Sequence, residues 1–392
     1  MVAESAASYE ALQAQDNAIT ALFQSRDYEL VAPAYLQPAD LFLDRMGEAI
    51  RGRTYVFTDP GGAELCLRPD VTLPACRVYL ERTPKSDVEA RFCYNGPAFR
   101  FQPGGAQAAR PREFRQAGIE YIGGADRASA DAEVTGLALE AVRSAGLKDC
   151  KIRLGDLGLF EALIQGLDIP ERWRLRMRHF FWRPPVFHDL LRQLSSAPAA
   201  EPGAVEAQLI GALDPGDIET SQSLVAAYLD KAGIPLDGVR SLSEITERLL
   251  GRAADASQPP LSAATLRLIE DYLSVSDAPA AALERIAQLT RAGGPDLSTV
   301  LQDAHTRLEK LAETGVDLED ATFSAEFGRD LEYYTSHVFQ IEMPGQGRAG
   351  QIAGGGRYDD LLKSLGAPRE VPAAGSAIHT ERLLAAVRGV VS

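Results

Sequence analysis

The chemistry this chain could do lies in polar side chains set inside β-rich runs. In "LRPDVT", Asp70 and Thr72 stand two apart, so an extended segment would put both on one face. "FRQAGIEYIG" places Gln116 and Glu120 four apart, again on one face of a strand. Arg100 sits in "GPAFRFQ", and Arg329 with Tyr333 and Tyr334 sits in "GRDLEYYT". Such a set offers carboxylates for an ammonium and Arg or Gln for a carboxylate. It also offers Tyr and Glu for a ring carrying two nitrogens, which is the equipment for recognising a polar amino acid. Each piece alone has an ordinary structural reading too. Glu120 reads as a solvated edge residue, the Tyr pair as packing, Arg329 as a surface ion pair. The run "GGGR" at 354–357 reads as a tight turn.

The elements that must position these residues fall into three zones. Up to about residue 158, short strand-like runs alternate with turn residues: "TYVFTD", "AELCLRP", "RFCYNGPAFRF" and "QAGIEYIG". The cluster Asp59-Pro60-Gly61-Gly62 marks a hairpin between the first two. Polar–apolar alternation with hairpin turns predicts an antiparallel sheet. "SADAEVTGLALEAVRSAG" predicts an amphipathic helix closed by Gly146. From about 160 to 320 the strand signal fades into Ala- and Leu-rich helical patterns, with Ser276, Asp277 and Pro279 as a helix start and 195–204 as a mobile loop. From about 322 the β texture returns. "ATFSAEFGRDLEYYTSHVFQIEM" holds two strands, and "QIAGGGRYDDLLKSLG" reads as strand, glycine turn, helix. A sheet interrupted by a helical insertion explains β zones at opposite ends of the chain.

Composition narrows the classes. Of 392 residues, 45% are hydrophobic and 24% charged, which suits a soluble globular chain. No long apolar run predicts a membrane span, and the N-terminal "MVAESAASYEALQAQD" has no secretory pattern, so a cytoplasmic protein is expected. Cys66, Cys76, Cys93 and Cys150 lack CxxC spacing and five histidines form no HExxH pair, so no metal and no cofactor is expected. A net charge of −15 disfavours a chain that grips RNA by its phosphates.

The order of these motifs resembles the histidyl-tRNA synthetase family. "PAYLQPADLFLDRMG" looks like the first class II motif, which builds a dimer interface. "LRPDVT" is similar to the family's LRPEGT element, and "GPAFRFQ…RPREFRQAGIEYIG" to its second motif. "GRDLEYYTSHVF" resembles the histidine-specific RGLDYYTGTVF signature. "AGGGRYDDLLKSLG…VPAAGSAIHTERL" resembles the GGRYDGL element and third motif. The resemblance covers about 10–160 and 320–390. It implies an α+β fold: a class II synthetase-like antiparallel sheet flanked by helices. The core would span 1–160 and 321–392, with a helical insertion at 161–320.

Carried onto this sequence, the resemblance implies that Asp70 and Thr72 hold a histidine ammonium while Gln116 and Arg329 face its carboxylate. Glu120 and Tyr334 would bond the imidazole nitrogens, with Tyr333 and Tyr358 lining the pocket. Arg100 borders the same pocket; in the synthetases its counterpart, like those of Arg110 and Arg382, contacts ATP phosphates or the adenylate. The departures lie on the nucleotide side. His379 replaces a glycine and should crowd the nucleotide. Gln102 replaces a glutamate, and the loop between Arg100 and Arg110 lacks basic character. The chain ends soon after Arg382, so no anticodon-binding domain and no tRNA is expected.

A kept amino-acid site beside a degraded nucleotide site resembles the regulatory subunits of ATP phosphoribosyltransferase. The resemblance implies a non-catalytic homodimer core that activates the short-form catalytic subunit and binds L-histidine for feedback inhibition. The assembly implied is a hetero-octamer of four catalytic and four regulatory chains. ATP and phosphoribosyl pyrophosphate would react on the partner. Two alternatives stand beside it: a truncated synthetase-like enzyme still using ATP and histidine, and a histidine sensor for another partner.

Overall fold

The computed structural model describes residues 5–46, 50–102, 111–196, 209–214, 216–232, 241–256, 258–329, 331 and 333–389. Its backbone divides into two compact units, one made of Met1–Pro184 with Leu268–Ser392 and the other of Pro185–Arg267.

The first unit is built on two sheets. Strands β1 (Glu29–Leu30), β5 (Ala90–Phe99), β6 (Glu113–Ile122), β7 (Lys151–Asp156), β8 (Ser276–Asp277), β9 (Thr322–Ser324), β10 (His337–Glu342), β11 (Gln351–Arg357) and β12 (Ala373–His379) form the larger. Their order is β1-β5-β6-β12-β11-β10-β7-β9-β8. From β5 to β7 every neighbour is antiparallel; the parallel pairs are β1 with β5 and β7 with β9, toward the edges. The antiparallel sheet expected is thus present, with mixed margins. Strands β2 (Leu36–Pro38), β3 (Tyr55–Thr58) and β4 (Glu64–Leu67) make the smaller sheet. Its hairpin turns where the Asp59–Gly62 cluster predicts. Asp59 N donates to Ala63 O at 2.9 Å, and Gly62 takes a φ of +86°, the left-handed backbone that favours glycine.

The helix Arg127–Ser144 covers one face of the large sheet. Asp126 caps it by accepting from Ser129 N at 3.0 Å, and Gly146, at φ +111°, ends it. Its Ala130, Val134, Leu137, Ala138 and Val142 are buried. Each large apolar side chain so buried contributes about 1.5–3 kcal/mol. Beneath the helix lies a charged layer. Arg307, on the helix Ser298–Glu313, bonds Asp131 at 2.8 Å and also Asp156. Arg357 bonds Asp131 and Asp359, the latter at 2.8 Å, and His337 Nε2 lies 3.1 Å from Thr135 Oγ1.

The first unit also takes in the helices of the 157–180 and 279–313 stretches. The second unit therefore starts later and ends earlier than the 161–320 span expected of an insertion. By itself it is helical, with Leu209, Leu213, Val225, Leu229 and Leu250 as its core. Ser241 and Glu244 cap the helix Leu242–Ala256 reciprocally, Glu244 N donating to Ser241 Oγ and Ser241 N to a Glu244 oxygen. Of the loop expected at 195–204, only Ser195 and Ser196 fall within the described residues.

No helix among the described residues is long and apolar enough to cross a membrane. The four cysteines are free and buried.

Candidate functional site: a glycine-paved cleft

Strand register decides what faces the ligand. Gln116, Gly118 and Glu120 alternate onto one face of β6. Opposite them in β12 stand His379, Ala377 and Gly375. Next come Gly354 and Gly356 of β11, then Gln340 and Val338 of β10. The centre of this face is therefore glycine and alanine. A cavity of about 480 Å³ opens over it, wholly within the first unit.

The glycines make room for functional side chains. A Cβ on Gly354 would stand 1.8 Å from Arg329 Nη1, and one on Gly375 would stand 1.7 Å from Glu120 Oε2. On Gly118 it would meet the Tyr94 hydroxyl at 2.4 Å. The run 354–356 is hence not the tight turn expected. It is the interior of β11, where Gly355 lies so close to Gly375 O that a Cβ would come within 2.1 Å.

Asp70, Thr72, Arg100, Gln102, Gln116, Arg329, Tyr333, Tyr334, Tyr358, His379 and Arg382 all line this one cavity. Arg110 lies outside the described residues, as does the loop before it. Glu120 is not in the cavity wall. It is fully buried just behind, accepting from the hydroxyl of Tyr358, which is in the wall. Burial pushes the Glu120 carboxyl up to about 8, against opposing hydrogen bonds from Tyr358 and Thr72. Asp70 is likewise raised by burial, an effect that the charge of Arg100 opposes. It accepts from Leu73 N at 3.3 Å and from the Tyr333 hydroxyl at 3.4 Å. Tyr333 and Tyr334 lie 4.8 Å apart between ring centroids, and Tyr333 and Tyr358 5.6 Å.

Buried polar atoms without a partner among the described residues gather here: Gln116 Oε1, Glu120 Oε1 and Arg329 Nε. Such groups are rare in a folded chain and call for a ligand or water. The other end of the cavity is narrower in chemistry. His379 stands directly across the sheet from Gln116, its ring 5.4 Å from Phe114. Arg382 Nη1 donates to Gln351 O at 3.1 Å.

Local backbone differs from expectation in two places. Asp70 and Thr72 do not share an extended segment, because Thr72 opens the helix Thr72–Arg82 and Asp70 accepts from its first turn. Arg329, Tyr333 and Tyr334 sit on the connection between β9 and β10, not inside strands. The cavity wall also holds Trp182, Glu326, Gln340 and Glu342, which the sequence reading passed over. Gln340 and Glu342 had a signal, two polar residues spaced two apart in an apolar strand; Trp182 had none.

Comparison with known proteins agrees with this geometry. The histidyl-tRNA synthetase family model matches residues 4–184 and 220–383. A protein of Brucella anthropi named ATP phosphoribosyltransferase regulatory subunit is 34% identical over 94% of this chain and 95% of its own length. One of Rhizobium rhizogenes with the same name is 36% identical over 93% and 95%. The chain belongs to the ATP phosphoribosyltransferase regulatory subunit family, within the histidyl-tRNA synthetase fold. Solved structures support that fold. An ATP phosphoribosyltransferase regulatory subunit/histidyl-tRNA synthetase from Bacillus halodurans aligns at a TM-score of 0.67 and 22% identity, covering 99% of this chain and 82% of that one. A histidyl-tRNA synthetase from Nostoc aligns at 0.63 and 15%, covering 98% and 73%. Membership gives the chain a regulatory, non-catalytic role in histidine biosynthesis.

Proposed function

We propose that this chain binds free L-histidine in the glycine-paved cleft. Through it, the chain sets the activity of a separate, short ATP phosphoribosyltransferase catalytic chain, which it activates and through which histidine inhibits. The observation carrying the reading is a gathering of buried polar atoms without a partner among the described residues: Gln116 Oε1 and Arg329 Nε on residues of the cavity wall, and Glu120 Oε1 just behind it. Their chemistry matches an amino acid. Arg329 and the Gln116 amide suit its carboxylate, and Asp70 with Thr72 suits its ammonium. Glu120, with Tyr334 and Tyr358, suits an imidazole. His379 supports a site that no longer works on nucleotides, because its side chain shares the cleft face with Gln116.

A ligand that prefers one state of an assembly shifts that assembly without any chemistry of its own. The role therefore asks for a binding pocket and an interface and for no catalytic group. Exposed Tyr35, Leu36, Val56 and Phe57 on and beside the small sheet suit a homodimer face. Four such chains with four catalytic chains would make the hetero-octamer.

The test is direct. A purified short-form catalytic chain is assayed alone, with this chain, and with this chain plus L-histidine. The rate should rise on addition and fall with histidine, while Arg329→Ala blunts the fall and keeps the rise. Light scattering of the mixture reads the stoichiometry. A catalytic chain indifferent to this one sinks the regulatory reading, and histidine-dependent ATP–pyrophosphate exchange would reinstate an enzyme.

A further inference from the structure

Two donors on residues of the cleft wall are left over from this account, the Ser376 hydroxyl and the Trp182 indole, and the indole is the more selective. The indole Nε1 of Trp182 is shielded from solvent and has no acceptor among the described residues, although Trp182 lines the cavity. An indole N–H can only donate, so an ammonium or another N–H cannot satisfy it. Its segment is well anchored. Phe181 stacks on Phe160 with centroids 4.0 Å apart at 24°, and the Arg183 guanidinium lies 4.0 Å from the Trp182 ring centroid.

The neighbour on the other side points to what the indole meets. Gly328 packs against this segment, for a Cβ there would stand 3.5 Å from the Trp182 Cα. The next residue is Arg329, whose Nε is also buried without an acceptor among the described residues. Trp182 and Arg329 stand on touching segments and both residues line one cavity, and two N–H donors left there without an acceptor call for an oxygen bearing negative charge. We infer that Trp182 is a ligand-binding residue that donates its indole N–H to a carboxylate oxygen of the bound amino acid, beside Arg329. The inference rests on the reading of the cleft as an amino-acid site. It adds a contact close to the end of the first unit, since Pro185, where the second unit starts, follows three residues later.

Calorimetry with L-histidine on the full chain and on Trp182→Phe tests it. Losing a hydrogen bond to a charged oxygen should weaken binding about 10-fold or more. A second measurement does not depend on that variant folding. Trp173 and Trp182 are the chain's two tryptophans, so Trp173→Phe leaves Trp182 as the sole indole emitter. Its emission should move with histidine, at the concentration where calorimetry reports binding. Wild-type binding together with an affinity within about twofold in Trp182→Phe overturns the inference and leaves the histidine reading standing. So does binding with a silent Trp182. Absence of any histidine heat in the wild type overturns that reading first, and this inference with it.

Discussion

Glu120 offers the sharpest test of the cleft, because its burial makes a claim about stability as well as binding. Its carboxyl is fully buried and pushed from 4.5 up to about 8. Between those values the folded chain holds a proton that the unfolded chain has released, so folding stability falls as pH rises through the window. Below about pH 4.5 the group costs nothing; above about pH 8 the whole cost is present. At about 1.4 kcal/mol for each pH unit of that window, the ceiling is about 5 kcal/mol. Glu120→Gln removes the titration and keeps a carbonyl oxygen for the Tyr358 hydroxyl. Any fixed cost of the amide is the same at every pH, so the change in the wild type-to-variant gap is the quantity to read. Urea unfolding at one protein concentration, followed by tryptophan emission, suits the measurement because both tryptophans lie in the first unit. From pH 5 to pH 8 the gap should move in favour of Glu120→Gln by more than about 2 kcal/mol. A gap that stays constant within about 0.5 kcal/mol would refute the argument that Glu120 is held protonated behind the cleft.

Other substitutions separate packing from recognition. Gly354→Ala displaces only the flexible end of Arg329, so it should leave urea stability nearly unchanged and weaken histidine binding at least about 10-fold by calorimetry. Gly355→Ala instead drives a Cβ into the backbone at Gly375 O and should cost about 3 kcal/mol or more. Arg307→Met takes the cation from the buried carboxylate of Asp156 and leaves Asp131 with Arg357 alone, and a loss of about 3–5 kcal/mol is expected in the same unfolding assay. His337, held down to about 3 by burial and by the nearby Arg307 charge, takes a proton in the unfolded chain long before the folded one. Stability should therefore fall as pH drops below 6.5, and His337→Gln should show a shallower acid decline.

The sequence by itself determined the strand and helix alphabet of the first unit, the hairpin at Asp59–Gly62, and part of the cleft wall, while Trp182, Glu326, Gln340 and Glu342 were not read from it. Alternation explains why. Gln116 and Glu120, four apart in β6, must share a face, whatever the rest of the chain does. What it could not supply was which strand lies opposite which. Only the pairing of β6 with β12 sets His379 against Gln116 and Gly375 against Glu120. Only the pairing of β11 with β10 and β12 turns three glycines from an apparent turn into a strand with Arg329 folded over it. The extent of the second unit was hidden for a similar reason. Helices that cover a sheet and helices that form their own core carry the same apolar periodicity. Asp131 shows what separates them: its ion pairs with Arg307 and Arg357 join residues far apart in the chain. Glu120, given to an imidazole nitrogen by the resemblance but by itself as readily a solvated edge residue, lies out of water with β5 and β12 on either side of its strand.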